Sequence, residues 1–303
     1  MKISIILPAK NEEENLERLL PKLLHFFGGQ EIIVIDDGSS DATKDVCLRH
    51  GVKVISHPYS MGNGAAIKSG ARAANGEILV FMDADGQHDP ENIQRLLNKI
   101  QDGYEMVVGA RQADTHASWG RRIANLFYNR LASLMTGYRI DDLTSGFRAV
   151  RARHFRKYLY LLPNGFSYPT TSTMAFFRSG LPVAYVPIRA NKRGGKSNIN
   201  ILRDGLRFII IIVKIGALFS PMRLFLPVSM ILFVIGLAYY SYTFFYWQRF
   251  TNMSALLLSS ALLTFLMGII SEQVSALHYK GADDDQRRLD RDQNLTSEPK
   301  IKD

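Results

Sequence analysis

Asp83 and Asp85 stand on either side of Ala84, directly after the apolar run Ile78–Met82. Alternate carboxylates at the end of a buried strand can both reach one hard divalent cation, leaving its other positions to phosphate oxygens and water. Gln87, two residues on, adds a carbonyl oxygen. The plain alternative is a solvated turn with a helix cap at Asp89-Pro90. Asp36 and Asp37 close a second apolar run, Glu31–Ile35, ahead of the turn residues Gly38-Ser39. Acceptors there suit a base N–H or a ribose hydroxyl; an ordinary loop is the alternative. Gly62-Asn63-Gly64 precedes a helical stretch and could offer backbone N–H groups to a phosphate. Its spacing matches neither a P-loop nor G-x-G-x-x-G.

These residues need a frame that brings strand ends together. Lys2–Leu7 reads as a buried strand, followed by a helix capped by Asn11 with Glu12-Glu13-Glu14 in its first turn. Leu16, Leu19, Leu20, Leu23 and Leu24 then recur at helical spacing. Further strands are expected at Glu31–Ile35, Val52–Ile55, Ile78–Met82 and Met106–Gly109, with helices through Ala65–Ala74 and from Pro90. Strands alternating with helices predict a largely parallel sheet, whose ligands bind outside the carboxyl ends of the strands. Both acidic clusters fall at such ends.

The chain has 303 residues, a formal charge of +9, a mean hydropathy of −0.04 and one cysteine, Cys47. That composition excludes a disordered chain, an intramolecular disulfide and a multi-cysteine zinc site. The charge is unevenly placed. From Leu224 to Ser271 the only charge is Arg249. Leu224–Gln248 would span about 37 Å as a helix, enough for a hydrocarbon core of about 30 Å. Phe250–Ser271 supplies a second apolar run, and Tyr239, Tyr240, Tyr242, Tyr246 and Trp247 form an aromatic belt at the far end of the first. A transmembrane hairpin is therefore expected, with Pro227 near the start of its first helix. Arg203, Arg207, Lys214 and Arg223 before it and Lys280 after it put both ends in the cytoplasm by the positive-inside rule. Ile3–Leu7 is too brief for the apolar core of a signal peptide, so the N-terminal domain is expected on the same side. Arg203, Arg207 and Lys214 share one helical face beside Ile209–Val213, which predicts an interfacial helix on an anionic leaflet. The tail from Gly281 carries seven acidic and five basic residues, reads as disordered, and leaves +11 on residues 1–280. Nucleic acid is not expected as the partner, because no basic run interleaved with aromatics occurs in the first half.

Three motifs in order carry a resemblance: Ile6-Leu7-Pro8-Ala9-Lys10-Asn11-Glu12, Val34-Ile35-Asp36-Asp37-Gly38-Ser39 and Met82-Asp83-Ala84-Asp85-Gly86-Gln87-His88. Together they resemble the family 2 glycosyltransferases of GT-A fold. Gly109-Ala110-Arg111, Arg121-Arg122, Asp142-Leu143-Thr144-Ser145-Gly146-Phe147-Arg148 and Arg193-Gly194-Gly195-Lys196-Ser197 narrow the resemblance to the polyprenyl-phosphate branch, which contains dolichol-phosphate mannose synthase. The resemblance implies an α/β GT-A catalytic domain over 1–201 and a two-helix membrane anchor; charge and hydropathy set an amphipathic interfacial helix over 202–222, two transmembrane helices over 223–276 and a disordered charged tail over 277–303. It also implies that Pro8, Glu12, Asp36 and Asp37 contact the nucleotide, and that Asp83, Asp85 and Gln87 hold Mg²⁺ or Mn²⁺ on the diphosphate. Arg111, Arg121 and Asn125 would hold the phosphate of the acceptor lipid, and Arg193 and Lys196 would close over the donor diphosphate.

The expected reaction moves one hexose from a UDP- or GDP-sugar to a polyprenyl phosphate, with inversion. A phosphate monoester, with a second pKa near ~6, is already a nucleophile at neutral pH and needs positioning by arginine more than deprotonation. Asp142 would orient the acceptor or its arginines, or act as a base. Two departures from the family pattern bear on this. The helix Tyr168–Phe176 lacks the acidic residues many relatives carry there, and Asn63 stands where lysine is common. The Q-x-x-R-W signature of processive polysaccharide synthases is absent. The alternatives are transfer to a hydroxyl of a glycolipid or other membrane acceptor, and a non-catalytic membrane-anchored binding protein. Hairpin anchors of this kind pack together, so a homo-oligomer is compatible with the sequence.

Overall fold

Strands β1 (Ile3–Ala9), β2 (Glu31–Asp36) and β4 (Ile78–Phe81) are runs of Ile, Leu, Val and Phe buried on both faces, as central parallel strands require. They belong to a seven-stranded sheet of order β3-β2-β1-β4-β6-β5-β7, completed by β3 (Lys53–Ser56), β5 (Met106–Arg111), β6 (Arg148–Arg151) and β7 (Val183–Ile188). The computed structural model describes residues 1–111, 119–165, 167–189, 210, 213, 216–217 and 220–297, with backbone alone at 119–125 and 278–297. The chain divides into two units, 1–212 and 213–303.

In the first unit every strand but β6 runs parallel to its neighbours; β6 is antiparallel to both β4 and β5. The carboxyl ends of β1, β2, β4, β5 and β7 therefore share one edge, and the segment leading into β6 arrives at that same edge. Helices α1 (Glu13–Phe27), α2 (Thr43–Arg49) and α4 (Glu91–Gln101) cover one face, burying Leu16, Leu20, Val46, Ile93 and Leu96 against Ile5, Leu7, Val34 and Val80. On the opposite face lies α3 (Asn63–Ala73), where Gly70 permits close approach: a Cβ there would collide with the Ile6 side chain. Helices α5 (Trp119–Thr136), α6 (Ala152–Lys157) and α7 (Tyr168–Arg178) follow, and Phe155 and Tyr168 pack their rings against Phe81.

Four expectations need correction here. Asn11 does not cap α1: it adopts φ 55°, and its side-chain oxygen accepts from the Ser40 N–H at 2.8 Å, tying the loop after β1 to the loop after β2. Strand β6 and its antiparallel sense were not expected, because Arg-Ala-Val-Arg has neither an apolar run nor clean alternation. The third and fourth concern Pro227 and the tail.

In the second unit α8 (Pro221–Trp247) and α9 (Asn252–Ser297) form a hairpin. Pro221–Trp247 and Asn252–Leu277 are both long and apolar enough to cross a membrane. Pro221 opens α8, so Pro227 falls inside the helix rather than at its start. The seam is built of small residues at seven-residue intervals, Ser229, Gly236 and Thr243 on α8 and Ser254, Ala261, Gly268 and Ser275 on α9. A Cβ on Gly236 would lie 3.1 Å from Leu257, and one on Gly268 would lie 2.9 Å from Phe225. The Ser229 hydroxyl donates to the Ala261 carbonyl at 2.9 Å. Such close contact between small residues is what holds apolar helices together where lipid removes the hydrophobic drive. Helix α9 continues through Ser297, so residues 281–297, expected as disordered, are helical in backbone. No Gly or Pro interrupts 282–297, and Asp283/Arg287 and Asp284/Arg288 are spaced as i, i+4 pairs. The interfacial helix expected over 202–222 lies largely outside the described residues.

Glu31, at the start of β2, anchors the edge of the sheet remote from the strand carboxyl ends. Its carboxylate accepts from the Asn75 N–H at 2.7 Å, the Asn75 amide at 2.8 Å, the Ser4 hydroxyl and the Lys53 ammonium. Burial alone would raise its pKa, but these donors outweigh it and bring the value down to about 2. A folded-state pKa below the unfolded one gives stability that is complete above about pH 4.5 and is lost as pH falls toward about 2. Glu31→Gln is expected to lower stability at pH 7 by roughly 1.5–3 kcal/mol. It should also flatten the loss between pH 5 and about 2, read by denaturant unfolding at a series of pH values.

Candidate functional site

The loops after β1 and β2 are laced into one surface. The Asn11 N–H donates to Ser39 Oγ at 2.9 Å, the Glu12 N–H to Thr43 Oγ1 at 3.0 Å, and the Asp37 N–H to the Ala9 carbonyl at 2.8 Å. Pro8 pairs in register with Ile35, and Ala9 with Asp36. Pro8, Glu12, Asp36 and Asp37 therefore lie on neighbouring, cross-linked strand ends. Asp36 Oδ1 accepts from the Ser39 N–H at 2.9 Å.

Asp37 is committed more fully. Its two oxygens accept from His57 Nδ1, Ser60 Oγ and the N–H groups of Met61 and Gly62, all at 2.8–2.9 Å. Burial pushes its pKa up, but the donors led by His57 outweigh that and hold it below the usual carboxylate range. His57 Nε2 meets Ser69 Oγ at 2.9 Å, linking this loop to α3. The segment Gly62-Asn63-Gly64, read from sequence as a phosphate cradle, is turned to another use. The N–H groups of Gly64 and Ala65 donate to the carbonyls of Gly165 and Asn164, and a Cβ on Gly64 would lie 2.0 Å from the Pro163 carbonyl oxygen. The glycines serve close approach of 163–165, and these N–H groups are already satisfied.

The second half of the edge holds Asp83, Asp85 and Gln87 after β4, Arg111 at the end of β5, and 142–147 ahead of β6. Asp85 Oδ1 accepts from the Gln87 N–H at 3.2 Å. Gly146 lies so close that a methyl group on it would sit 3.0 Å from Asp83 Oδ2 and 3.1 Å from the Tyr168 hydroxyl. Asp142, 7 % exposed, receives six hydrogen bonds. Arg111 contributes its backbone N–H at 3.2 Å, Nε at 2.9 Å and Nη2 at 3.1 Å; Thr144 and Ser145 supply the rest. Burial opposes ionisation of Asp142, but Arg111 outweighs it and holds the carboxyl below its ordinary range. Arg111 Nη2 also donates to Thr144 Oγ1 at 2.6 Å, so the guanidinium is aimed by two residues of one turn.

Among the described residues no group of three or more Asp, Glu, His or Cys could enclose a metal ion. Two carboxylates separated by one residue fit a hard divalent cation that completes its shell with phosphate oxygens and water, and do not fit a closed structural site. Arg121 and Asn125 lie on α5 within the part described by backbone alone, and Arg193 and Lys196 lie outside the described residues.

Sequence reasoning assigned no role to His88, Thr144, Tyr168 or Arg148. His88 is buried, stacks on Phe147 with ring centroids 4.8 Å apart, and has no partner at Nδ1 among the described residues. Burial, reinforced by Arg111, pulls its pKa to about 4, so the ring stays neutral. Its signal was its place in the Asp83–His88 motif. Arg148, fully buried, had only its place at the end of the Asp142–Arg148 motif.

The comparisons with known proteins agree with this frame. Residues 4–159 match the model of Glycosyl transferase family 2, and residues 220–277 match the GtrB C-terminal hairpin. The chain is 32% identical over 197 residues to an uncharacterised protein of Methanocaldococcus jannaschii, covering 62% of this chain and 80% of that one. It is 36% identical over 168 residues to a dolichol-phosphate mannosyltransferase of Pyrococcus furiosus, covering 50% of this chain and 46% of the relative. It is 33% identical over 163 residues to an undecaprenyl-phosphate 4-deoxy-4-formamido-L-arabinose transferase of Photorhabdus laumondii, covering half of each. The chain thus spans about half the length of these two named transferases. Among solved structures, glucosyl-3-phosphoglycerate synthase of Mycobacterium tuberculosis, in complex with Mn²⁺, uridine diphosphate and phosphoglyceric acid, aligns with a TM-score of 0.59 at 22% identity. That alignment covers 71% of this chain and 78% of that one, and it speaks for the fold. The match over 4–159 takes in just over half of the chain, including β1 through β6 and both acidic strand ends, so the chain belongs to glycosyl transferase family 2.

Proposed function

We propose that this chain transfers a single hexose from a UDP- or GDP-sugar to a polyprenyl phosphate at the cytoplasmic face of a membrane, with inversion at the anomeric carbon. The observation that carries the reading is the Arg111–Asp142 pair. A guanidinium is held by two hydrogen bonds on a saturated carboxylate, with the Arg111 backbone N–H adding a third, within the field of Asp83 and Asp85. A phosphate dianion needs such a fixed, planar donor and no base. The names of the dolichol-phosphate and undecaprenyl-phosphate relatives point to the same acceptor class, and the apolar hairpin supports a membrane setting.

In this reading Pro8, Glu12 and Asp36 face the nucleoside, while Asp37, its oxygens already engaged, holds the 57–62 loop in place for it. Asp83, Asp85 and Gln87 would hold Mg²⁺ or Mn²⁺, which when bound neutralises the leaving diphosphate; the Mn²⁺ and uridine diphosphate named with the mycobacterial structure support that choice. Arg111, Arg121 and Asn125 bind and orient the lipid phosphate, and Arg193 and Lys196 cover the donor diphosphate. Asp142 orients Arg111. Its lowered pKa and six donors leave it a poor proton acceptor, which separates this reading from transfer to a hydroxyl, where a general base is required.

The full chain, purified in detergent or nanodiscs with undecaprenyl phosphate, Mg²⁺ and a panel of sugar nucleotides, is expected to yield one glycolipid, identified by mass. A product made only on a lipid hydroxyl overturns the acceptor assignment. Asp85→Ala is expected to lower kcat at least ~100-fold, as loss of a charge-stabilising group does; unchanged turnover removes the metal assignment. Asp142→Asn should raise the acceptor KM about tenfold, with a fall in kcat well short of the 10²–10⁴ that removal of a general base brings. Gly146→Ala presses a methyl against Asp83 and should raise the Mg²⁺ concentration needed for half-maximal activity while leaving the melting temperature within a few degrees.

A further inference from the structure

Arg148 opens the antiparallel strand β6, paired in register with Phe81 of β4 and Val108 of β5. Its side chain is fully buried, and among the described residues none of its hydrogen-bond partners is a carboxylate. On one side Nη1 reaches the first turns of α7, donating to the Pro169 carbonyl at 3.0 Å, Ser172 Oγ at 2.8 Å and Thr173 Oγ1 at 3.2 Å; it also lies 3.9 Å from the Met106 sulfur. On the other side Nη2 donates to the Ser145 carbonyl. The guanidinium carbon lies 5.8 Å from the centre of the Tyr168 ring, whose hydroxyl donates to the Gly146 carbonyl at 3.2 Å. Nε has no partner.

A buried cation without a counter-ion is expensive, and an apolar residue of similar volume usually does as well or better for stability. What an apolar residue cannot do is hold a carbonyl. The Ser145 N–H donates to Asp142 Oδ1 at 3.1 Å, its hydroxyl donates to the Gly109 carbonyl at 2.7 Å, and Asp142 in turn holds Arg111. A continuous path of hydrogen bonds therefore runs from Arg148 through Ser145 and Asp142 to Arg111.

We propose that Arg148 is a positioning residue for the transfer reaction: it clamps the 142–145 turn between β6 and α7, and so fixes the direction in which Asp142 presents the Arg111 guanidinium. This rests on the reading above only in naming the acceptor phosphate as what Arg111 receives. Lysine cannot replace it, because one ammonium cannot bridge α7 and the Ser145 carbonyl as a planar fork does. Burial pulls the Arg148 pKa down, and the fields of Tyr168, Tyr185, Asp142 and Asp83 oppose that pull.

The test is a double-mutant cycle in the full-length chain, with Arg148→Met and Asp142→Asn. The Met variant is expected to keep the wild-type melting temperature within a few degrees, with kcat/KM for the acceptor down at least tenfold and the donor KM unchanged. The double variant should be no worse than about the poorer single one, because both substitutions release the same guanidinium. Multiplicative effects, or activity that falls only in step with melting temperature, would overturn the proposal. Should Arg148→Met not fold, Arg148→Lys enters the same cycle with the same expectation. The wild-type product separately decides the acceptor: if another acceptor is found, the cycle is run on it. If wild type transfers to none, the cycle is read in unfolding free energy. Coupling of 148 with 142 is then expected, and none with the exposed Arg49–Glu17 pair. Absence of coupling between 148 and 142 there also overturns it.

Discussion

Asp142 keeps its charge in a nearly solvent-free position because six N–H and O–H groups converge on it. Much of the edge follows from that requirement. Satisfying the carboxylate fixes the backbone of Thr144 and Ser145, brings Arg111 in from the neighbouring strand end, and leaves Gly146 as the residue that fits between Asp83 and Tyr168. Asp37 imposes the same discipline on the other half of the edge, where one carboxylate gathers His57, Ser60, Met61 and Gly62 into a loop. A buried carboxylate left short of donors would be destabilising by several kcal/mol, so each loop is held in the one arrangement that supplies them.

The electrostatic plan is one of sorted roles. Asp37 and Asp142 are spent on the protein itself, whereas Asp83 and Asp85 follow β4 and act on Arg111 through their fields. Arg111 is a third exposed, Arg148 is wholly enclosed, and His88, stacked on Phe147, is neutral. The positive excess noted in the composition is thus partly internal, in service of geometry.

How much of this was legible follows from what each element asks of its residues. Strands β1, β2 and β4 announce themselves because burial on both faces demands unbroken apolar runs, and the hairpin helices do so because 48 residues carry a single charge. The strand-end aspartates were legible as a set, since a carboxylate after a buried run is conspicuous. Their division of labour was not: nothing local tells Asp37 from Asp36, and only the return of the chain at 57–62 does. Strand β6 was hidden because its first position is an arginine whose partners come from α7, some twenty residues on. Asn11 mimics a cap because its acceptor oxygen suits either an N-terminal N–H or Ser40, a choice made by the fold. The tail was misread for a related reason, since charge content resembles disorder unless the i, i+4 signs are paired.

The seven-residue seam between α8 and α9 has a mechanical meaning. The Met222 N–H lies 3.4 Å from Glu272 Oε2, so the two helices are joined where the first begins as well as along their length. From there α9 runs on without a break to Ser297, adding some 30 Å of polar rod beyond Leu277 at 1.5 Å per residue. Its one glycine, Gly281, falls at the start of that extension, where it weakens the helix interior. Beyond it the i, i+4 spacing of Asp283/Arg287 and Asp284/Arg288 favours the helix, so the seam passes into a polar stretch of the same helix rather than into a turn.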